Sequence, residues 1–140
     1  MLVINIMQME PKNYPRIFIV EDNLLYQQLI AKELESLFGE IHFFTKGETC
    51  LEALGKDPSI IILDYDLEGE INGLDTMKEI RKFNPAIYVI LFSNQKNLNN
   101  SENVIQYGFF DYLEKRDHSF SLLRQMVCAT YHSLPEQKKL

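Results

Sequence analysis

The sequence predicts an α/β protein built on a doubly wound, five-stranded parallel sheet. Five short runs of large apolar residues are spaced along the chain, and segments with helical periodicity separate them. The runs are not interrupted by regularly spaced polar residues, which is typical of strands that are buried on both faces of a parallel sheet. Strands that alternate with amphipathic helices are joined by right-handed crossovers, which cover both faces of the sheet.

The first two strand–helix units begin near residue 16. We predict strand one at Arg16–Val20 and a helix from Leu24 to Phe38, where apolar residues recur every three or four positions until Gly39 ends the pattern. Strand two is predicted at Ile41–Phe44. A second helix follows from Lys46 to Lys56, and an Asp-Pro pair interrupts it.

The next units continue the same alternation. Strand three is predicted at Ile60–Leu63, followed by a helix that contains Leu74, Met77 and Ile80 and ends before Pro85. Strand four is predicted at Ile87–Phe92. The remaining predicted elements are a fourth helix through Val104 and Ile105 to Tyr107, strand five at Phe109–Leu113, and a last helix capped by Asp117 or Ser119, with Phe120, Leu123, Val127 and Tyr131 on its apolar face.

Length and composition favour one globular domain. The chain has 140 residues, of which 46% are hydrophobic, and a net charge of -6, which argues against direct nucleic-acid binding. No apolar run approaches the ~20 residues that cross a bilayer, so we expect a cytoplasmic protein without a membrane segment. Cys50 and Cys128 lack metal-ligand spacing and are expected to be reduced thiols, although spacing alone leaves a disulfide open. The apolar patch Leu2–Met7 is either a loose leader or an extra strand or dimer contact.

Polar side chains follow four of the predicted strands. Glu21 and Asp22 follow strand one, Asp64 and Asp66 follow strand three, Ser93 follows strand four, and Lys115 follows strand five. The carboxyl ends of parallel strands meet at one edge of a sheet, where ligands of open α/β sheets bind. We therefore expect one site that combines carboxylates, a hydroxyl and an ammonium group.

Such a group of side chains suits phosphoryl chemistry. Two carboxylates ~4 Å apart repel each other by roughly 4 kcal/mol at an effective dielectric constant near 20, and a divalent cation relieves that repulsion. Mg²⁺ prefers oxygen ligands and often bridges a carboxylate and a phosphate. One carboxylate can then act as a nucleophile and form an acyl phosphate, while a lysine and the metal neutralise charge on the transferred group.

The segments IFIVEDN, PSIIILD, LFS and GFFDYLEK resemble those of response-regulator receiver domains of two-component signalling. The resemblance covers Arg16 to Leu134, and it implies a flavodoxin-like (βα)5 fold with strand order 2-1-3-4-5. It also implies a receiver domain over residues 16–134, with an N-terminal extension at 1–15 and a C-terminal tail at 135–140. No output domain is evident in the sequence, so we expect a receiver that acts alone.

The resemblance assigns a role to each polar residue at the strand ends. It implies that Asp64 is the phosphoacceptor and that Mg²⁺ is bound by Glu21, Asp22, Asp64 and the backbone carbonyl of Asp66. Ser93 and Lys115 would contact the phosphoryl group.

The resemblance also implies a conformational switch and a set of partners. Ser93 and Tyr112 would act as the switch residues. A sensor histidine kinase or a histidine phosphotransfer protein would donate the phosphoryl group. A downstream protein would bind the face formed by helix four, strand five and helix five, and a homodimer is left open.

The sequence departs from the family pattern in the loop after Asp64 and at two other positions. Gly73 comes nine residues after Asp64 rather than eight, which predicts a loop that is longer by one residue. Asn94 replaces a small residue, and Arg116 stands where proline is common. These changes favour a second interpretation, a degenerate receiver that serves as an unphosphorylated protein scaffold. A third interpretation is a haloacid-dehalogenase-type phosphatase, because Asp64-Tyr65-Asp66 imitates the D-x-D motif of that family.

Overall fold

A computed structural model describes residues 15–35, 39–94 and 111–133 of the chain. Several predictions fall outside these residues, namely the extra strand or contact within residues 2–7, the end of the first helix at Phe38, the helix through Val104 to Tyr107, the start of strand five at Phe109, and the tail at 135–140. Among the described residues, no helix combines the length and the apolar character needed to cross a membrane.

The predicted sheet is confirmed, with the strand order β2-β1-β3-β4-β5 and parallel pairing throughout. The three central strands are almost entirely buried, whereas the edge strands β2 and β5 are half-exposed. The strands are β1 (Arg16–Val20), β2 (Glu40–Phe44), β3 (Ile60–Leu63), β4 (Tyr88–Ser93) and β5 (Asp111–Glu114).

The described helices are α1 (Leu24–Leu34), α2 (Gly47–Glu52), α3 (Gly73–Phe83) and α4 (Ser119–Ser133). The predicted helix from Lys46 to Lys56 is divided, because α2 ends at Glu52 and a 3₁₀ turn follows over Leu54–Lys56. Asp57 then adopts a left-handed backbone conformation with φ of 61° and ends the turn. The periodic pattern therefore predicted the helical segment correctly but not the change in its hydrogen bonding.

Each face of the sheet carries its own apolar core. Residues that alternate along the strands point to opposite faces, so Phe18 and Ile61 contribute to one core while Ile19 and Ile62 contribute to the other. Cys50 of α2 and Met77 and Ile80 of α3 complete the first core, and Ile30 and Leu34 of α1 with Leu123 and Val127 of α4 complete the second. This two-sided burial explains why the central strands contain almost no polar residues.

Candidate functional site

Backbone hydrogen bonds bring the ends of the strands to one edge of the sheet. The Glu21 N–H donates to the Phe44 carbonyl at 2.8 Å, and the Asp64 N–H donates to the Val20 carbonyl at 3.0 Å. The Lys115 N–H donates to the Ser93 carbonyl at 2.9 Å. The parallel pairing thus continues for one residue beyond the strands, and it fixes the backbone positions of Glu21, Asp64 and Lys115.

Three carboxylates lie close together at this edge. One oxygen atom each from Glu21, Asp22 and Asp64 lies within 4.8 Å of the other two. Glu21 and Asp64 are buried, whereas Asp22 is half-buried. Three of the four acidic residues predicted at the ends of strands one and three, all except Asp66, therefore lie close together.

The ammonium group of Lys115 lies among these carboxylates. Its Nζ donates to Glu21 Oε1 at 2.5 Å and to Asp64 Oδ2 at 3.3 Å. The side chain of Lys115 is only 3% exposed, so the ammonium group has exchanged most of its hydration for these two contacts. Asp64 is thus in direct contact with the one cation that the sequence predicted for the site.

Burial raises the pKa of the Glu21 carboxyl group. Removal from water raises the pKa of Glu21 to about 7, against the attraction of the hydrogen-bonded Lys115, and the neighbouring charge of Asp64 raises it further. The Glu21 carboxylate also accepts a hydrogen bond at Oε2 from the Asn23 N–H at 3.1 Å, and the Glu21 backbone carbonyl accepts one from Gln27 Nε2 at 2.6 Å.

A cavity of about 180 Å³ opens beside these groups. Its lining includes Asp66 and Asn94 as well as two residues that sequence reasoning did not select, Asn23 and Tyr26. Asn23 caps α1 by accepting a hydrogen bond from the Tyr26 N–H at 3.1 Å. Its position, directly after an acidic pair and before a helical pattern, is the sequence signal that could have identified this cap.

The donor set of the site fits Mg²⁺. The ion prefers oxygen ligands and retains several waters, each of which occupies ~30 Å³ in the liquid, so a cavity of about 180 Å³ has room for them. When all are ionised, the three carboxylates and Lys115 carry two net negative charges, which a divalent cation balances. Glu21, Asp22 and Asp64 are therefore candidate metal ligands, and Asp66 lines the same cavity.

The two predicted switch residues lie on neighbouring strands, β4 and β5. Ser93 is fully buried as the last residue of β4, and Asn94 after it forms part of the cavity wall. Tyr112 is half-buried on β5 beside Leu91 and packs against the core that α2 and α3 cover. Since Leu91 and Ser93 are two residues apart on one strand, Ser93 and Tyr112 belong to the same face of the sheet.

The loop between β3 and α3 is held against α2. Glu48 Oε2 accepts a hydrogen bond from the Glu70 N–H at 3.1 Å, and the backbones of Lys46 and Glu68 form an isolated parallel β-bridge. Gly69 has φ of 94° and packs on the Glu48 carboxylate, where a Cβ atom would collide with it. These contacts hold the loop against the start of α2.

Gly73 at the start of α3 packs directly on the backbone of the predicted phosphoacceptor. Its N–H donates to the Tyr65 carbonyl at 2.7 Å. A Cβ atom at this position would overlap the carbonyl oxygen of Asp64 and lie 2.7 Å from Tyr65 Cα. Only glycine lets α3 approach the end of β3 this closely.

Arg116 contributes a backbone group that proline does not have. The Arg116 N–H donates to Ser119 Oγ at 3.0 Å, and this hydrogen bond joins the end of β5 to the start of α4. The guanidinium group of Arg116 pairs with Glu114 at 2.7 Å at the surface. The replacement of the common proline therefore comes with a local hydrogen bond that fixes the turn after Lys115.

The chain matches the family model of the response regulator receiver domain over residues 17–127. An NtrX-like response regulator of Rickettsia felis is 33% identical over 101 residues, which are 71% of this chain and 21% of the relative. The DNA-binding transcriptional regulator NtrC of Escherichia coli is 28% identical over 100 residues, with the same coverage of 71% and 21%. The chain therefore spans about a fifth of the length of these curated relatives.

Solved structures give the same result for the fold. The signal receiver domain of a LuxO repressor protein from Vibrio parahaemolyticus superposes with a TM-score of 0.74 at 24% identity, over 84% of this chain and 89% of that one. This similarity confirms the prediction of a flavodoxin-like doubly wound sheet.

Proposed function

The chain belongs to the response regulator receiver domain family of two-component signalling, and we propose that it accepts a phosphoryl group on Asp64. The observation that carries this proposal is the position of Asp64. Its carboxylate contacts the Lys115 ammonium group at 3.3 Å and lies within 4.8 Å of carboxylate oxygens of Glu21 and Asp22. A nucleophile, a cation and candidate metal ligands therefore meet at one cavity.

The proposed reaction is a transfer of the phosphoryl group from a histidine of a partner. A carboxylate oxygen of Asp64 attacks the phosphorus atom, and a P–O bond forms as the P–N bond to the imidazole breaks. The electron pair of the P–N bond returns to the imidazole nitrogen, which takes a proton from solvent. In the second half of the cycle, water attacks the phosphorus atom of the acyl phosphate and loses a proton to solvent. The P–O bond to Asp64 breaks, inorganic phosphate leaves, and the Asp64 carboxylate is regenerated.

The neighbouring side chains each have a part in this proposal. Glu21, Asp22, Asp64 and the backbone carbonyl of Asp66 would hold Mg²⁺, which supplies electrostatic stabilisation of the phosphoryl oxygens when bound. Lys115 would pair with a phosphoryl oxygen, and its burial strengthens that attraction because water screens it little. Ser93 would donate its hydroxyl to another phosphoryl oxygen.

We also propose the partners that the family relationship suggests. A cytoplasmic sensor histidine kinase or histidine phosphotransfer protein would donate the phosphoryl group. The modification adds about -1.5 to -2 charges at neutral pH, which would draw Ser93 and Lys115 toward Asp64 and bias the conformation of Tyr112. A downstream protein would then recognise the face that includes β5 and α4, which is the helix predicted above as helix five.

Mass measurement after treatment with acetyl phosphate and Mg²⁺ tests the proposal. The wild-type protein should gain the mass of one phosphoryl group, Asp64→Asn should gain none, and the matched surface variant Asp117→Asn should behave like the wild type. Chelation of Mg²⁺ with EDTA should abolish the gain. A mass gain in Asp64→Asn equal to that of the wild type would show that another residue is modified.

One observation favours a second function, that of an unphosphorylated scaffold. Asn94, which stands where the family usually has a small residue, forms part of the cavity wall where a phosphoryl group would lie. If it fills that space, Asp64 would accept no phosphoryl group. A wild-type protein that gains no mass although Mg²⁺ binds would support this function, and a gain in Asn94→Ala alone would identify Asn94 as the cause.

A further inference from the structure

The ring of Tyr26 covers the ammonium group of Lys115. Lys115 Nζ lies 4.0 Å from the centroid of this ring and 5.8 Å from the centroid of the Phe92 ring. Tyr26 also forms part of the wall of the cavity that Asp64 lines. The ammonium group therefore contacts carboxylates and aromatic rings together.

The position of Tyr26 is fixed by two helices. Its backbone N–H is bound by Asn23 at the start of α1, and Ile30, one turn further on, is anchored in the core. The Tyr26 ring stacks on Phe120 of α4 with a centroid distance of 6.1 Å and an interplanar angle of 17°. Phe120 in turn meets Phe92 edge to face at 5.2 Å. Tyr26 thus belongs to a packed aromatic group that restricts its movement.

We propose that Tyr26 is a positioning residue for Lys115, and that its aromatic face holds the ammonium group against Asp64 and Glu21. The proposal deepens the proposed function, because the position of Lys115 matters for rate only if Lys115 pairs with a phosphoryl group on Asp64. Neither the sequence motifs nor the family resemblance assigned a role to Tyr26.

The physical argument starts from the burial of the ammonium group. Lys115 has a flexible side chain with three N–H donors, and its contacts to Glu21 and Asp64 employ two of them. A cation over an aromatic face is attracted by the negative electrostatic potential of the ring, and the attraction is strongest where water is excluded. The ring therefore offsets part of the free energy that the ammonium group loses on leaving water, and it keeps Lys115 from turning toward solvent.

An aliphatic side chain at position 26 would cover Lys115 but would not attract it. Leucine and methionine supply apolar volume without the quadrupole of a ring, whereas phenylalanine keeps the ring and removes only the hydroxyl group. The three substitutions Tyr26→Leu, Tyr26→Met and Tyr26→Phe therefore separate packing from cation binding. Tyr131→Leu on α4 is the matched control, because Tyr131 lies outside the cavity lining.

The first measurement needs no phosphodonor. In ¹H–¹³C spectra of lysine-labelled protein, the ε-methylene protons of Lys115 should be displaced upfield by the ring current of Tyr26. The displacement should remain in Tyr26→Phe and Tyr131→Leu and should shrink in Tyr26→Leu and Tyr26→Met. A Lys115 signal at the position of exposed lysines in the wild-type protein would overturn the proposal.

The second measurement is the rate of phosphorylation by acetyl phosphate. We expect the two aliphatic variants to react roughly tenfold more slowly than the wild type, as for the loss of a cation–π contact at a desolvated site, and Tyr26→Phe to recover most of the rate. Equal rates in folded aliphatic variants and the wild type would overturn the proposal while leaving phosphorylation of Asp64 intact. If the wild type is not labelled at all, the proposed function fails, and the spectra still decide whether Tyr26 positions Lys115.

Discussion

At the scale of single residues, the Lys115 ammonium group acts as an internal counter-ion for a buried acidic cluster. It contacts Glu21 at 2.5 Å and Asp64 at 3.3 Å, and both carboxylates are almost completely buried. Buried charges cost free energy unless they are paired, so this arrangement lowers the cost of keeping the Glu21 and Asp64 carboxylates buried. Glu21 still has a pKa raised to about 7, mainly by burial, so the compensation is incomplete.

The raised pKa of Glu21 predicts a pH dependence of stability. Between about pH 4.5 and about pH 7, the folded protein keeps the proton of Glu21 whereas the unfolded chain has released it. The folded state then binds more protons, so this residue lowers the free energy of unfolding as the pH rises through that window. In Glu21→Gln, the free energy of unfolding, measured with urea in the presence of EDTA, should decrease less as the pH rises through the same window.

The control for this prediction is Glu79→Gln, because Glu79 lies on the exposed surface of α3 and pairs with Lys82. It should keep the pH slope of the wild type. A Glu21→Gln protein with an unchanged slope would mean that burial does not hold the proton on Glu21.

At the scale of elements, the loop between β3 and α3 depends on α2 for its shape. Hydrogen bonding from the Glu70 N–H holds the pKa of the Glu48 carboxyl below its usual value, which indicates that the ionised form fastens the loop. The left-handed Gly69 lets the carboxylate approach, and the Lys46–Glu68 bridge lies beside it. The same loop contains Asp66, whose carbonyl is a proposed Mg²⁺ ligand.

We therefore expect Glu48→Ala to weaken Mg²⁺ binding without unfolding the domain. Loss of the carboxylate frees the loop backbone. Removal of a group that supports a metal ligand typically lowers the affinity for the metal by roughly tenfold or more. NMR titration with Mg²⁺ measures the affinity, and amide exchange at Glu70 should become faster. Glu52→Ala, which removes an exposed carboxylate from the same helix, should leave both unchanged. Equal Mg²⁺ affinity in Glu48→Ala and the wild type would show that the loop holds its shape without Glu48.

At the scale of the whole molecule, the parallel sheet connects the site to β5. The backbone N–H of Lys115 donates a hydrogen bond to the Ser93 carbonyl. Tyr112 is the β-sheet partner of Leu91, and both lie on the same face of the sheet as Ser93. A shift of β4 and Lys115 toward Asp64 would therefore act on the strand that carries Tyr112. This connection is built from backbone hydrogen bonds of the sheet.

We expect Mg²⁺ and beryllofluoride, a phosphoryl analogue, to shift the NMR signals of Tyr112 and its neighbours on β5. Asp64→Asn should show no such shift, because the analogue would have no carboxylate to bind. Signals of Phe83, at the exposed end of α3, serve as the internal control. Unchanged Tyr112 signals with a demonstrably filled site would contradict the proposed switch.

The sequence by itself determined that the sheet is parallel and covered by helices on both faces, whereas the prediction of its strand order came from the family resemblance. Apolar runs such as Ile60–Leu63 are buried on both faces, and this leaves few alternatives to a parallel sheet covered by helices. The same pattern located the polar residues at the strand ends, because a strand buried on both faces has room for polar side chains only where the chain leaves the sheet. The roles of Asp64 and Lys115 came from the family resemblance and remain proposals.

Only the tertiary structure decided which groups touch. The stacking of Tyr26 over Lys115, the contact of Lys115 with Glu21, and the hold of Glu48 on the loop join segments that are 22 to 94 residues apart. Local patterns do not encode such contacts, because they depend on how helices from different parts of the chain pack on one sheet. The raised pKa of Glu21 has the same origin, since burial is a property of the packed molecule and not of the sequence around one residue.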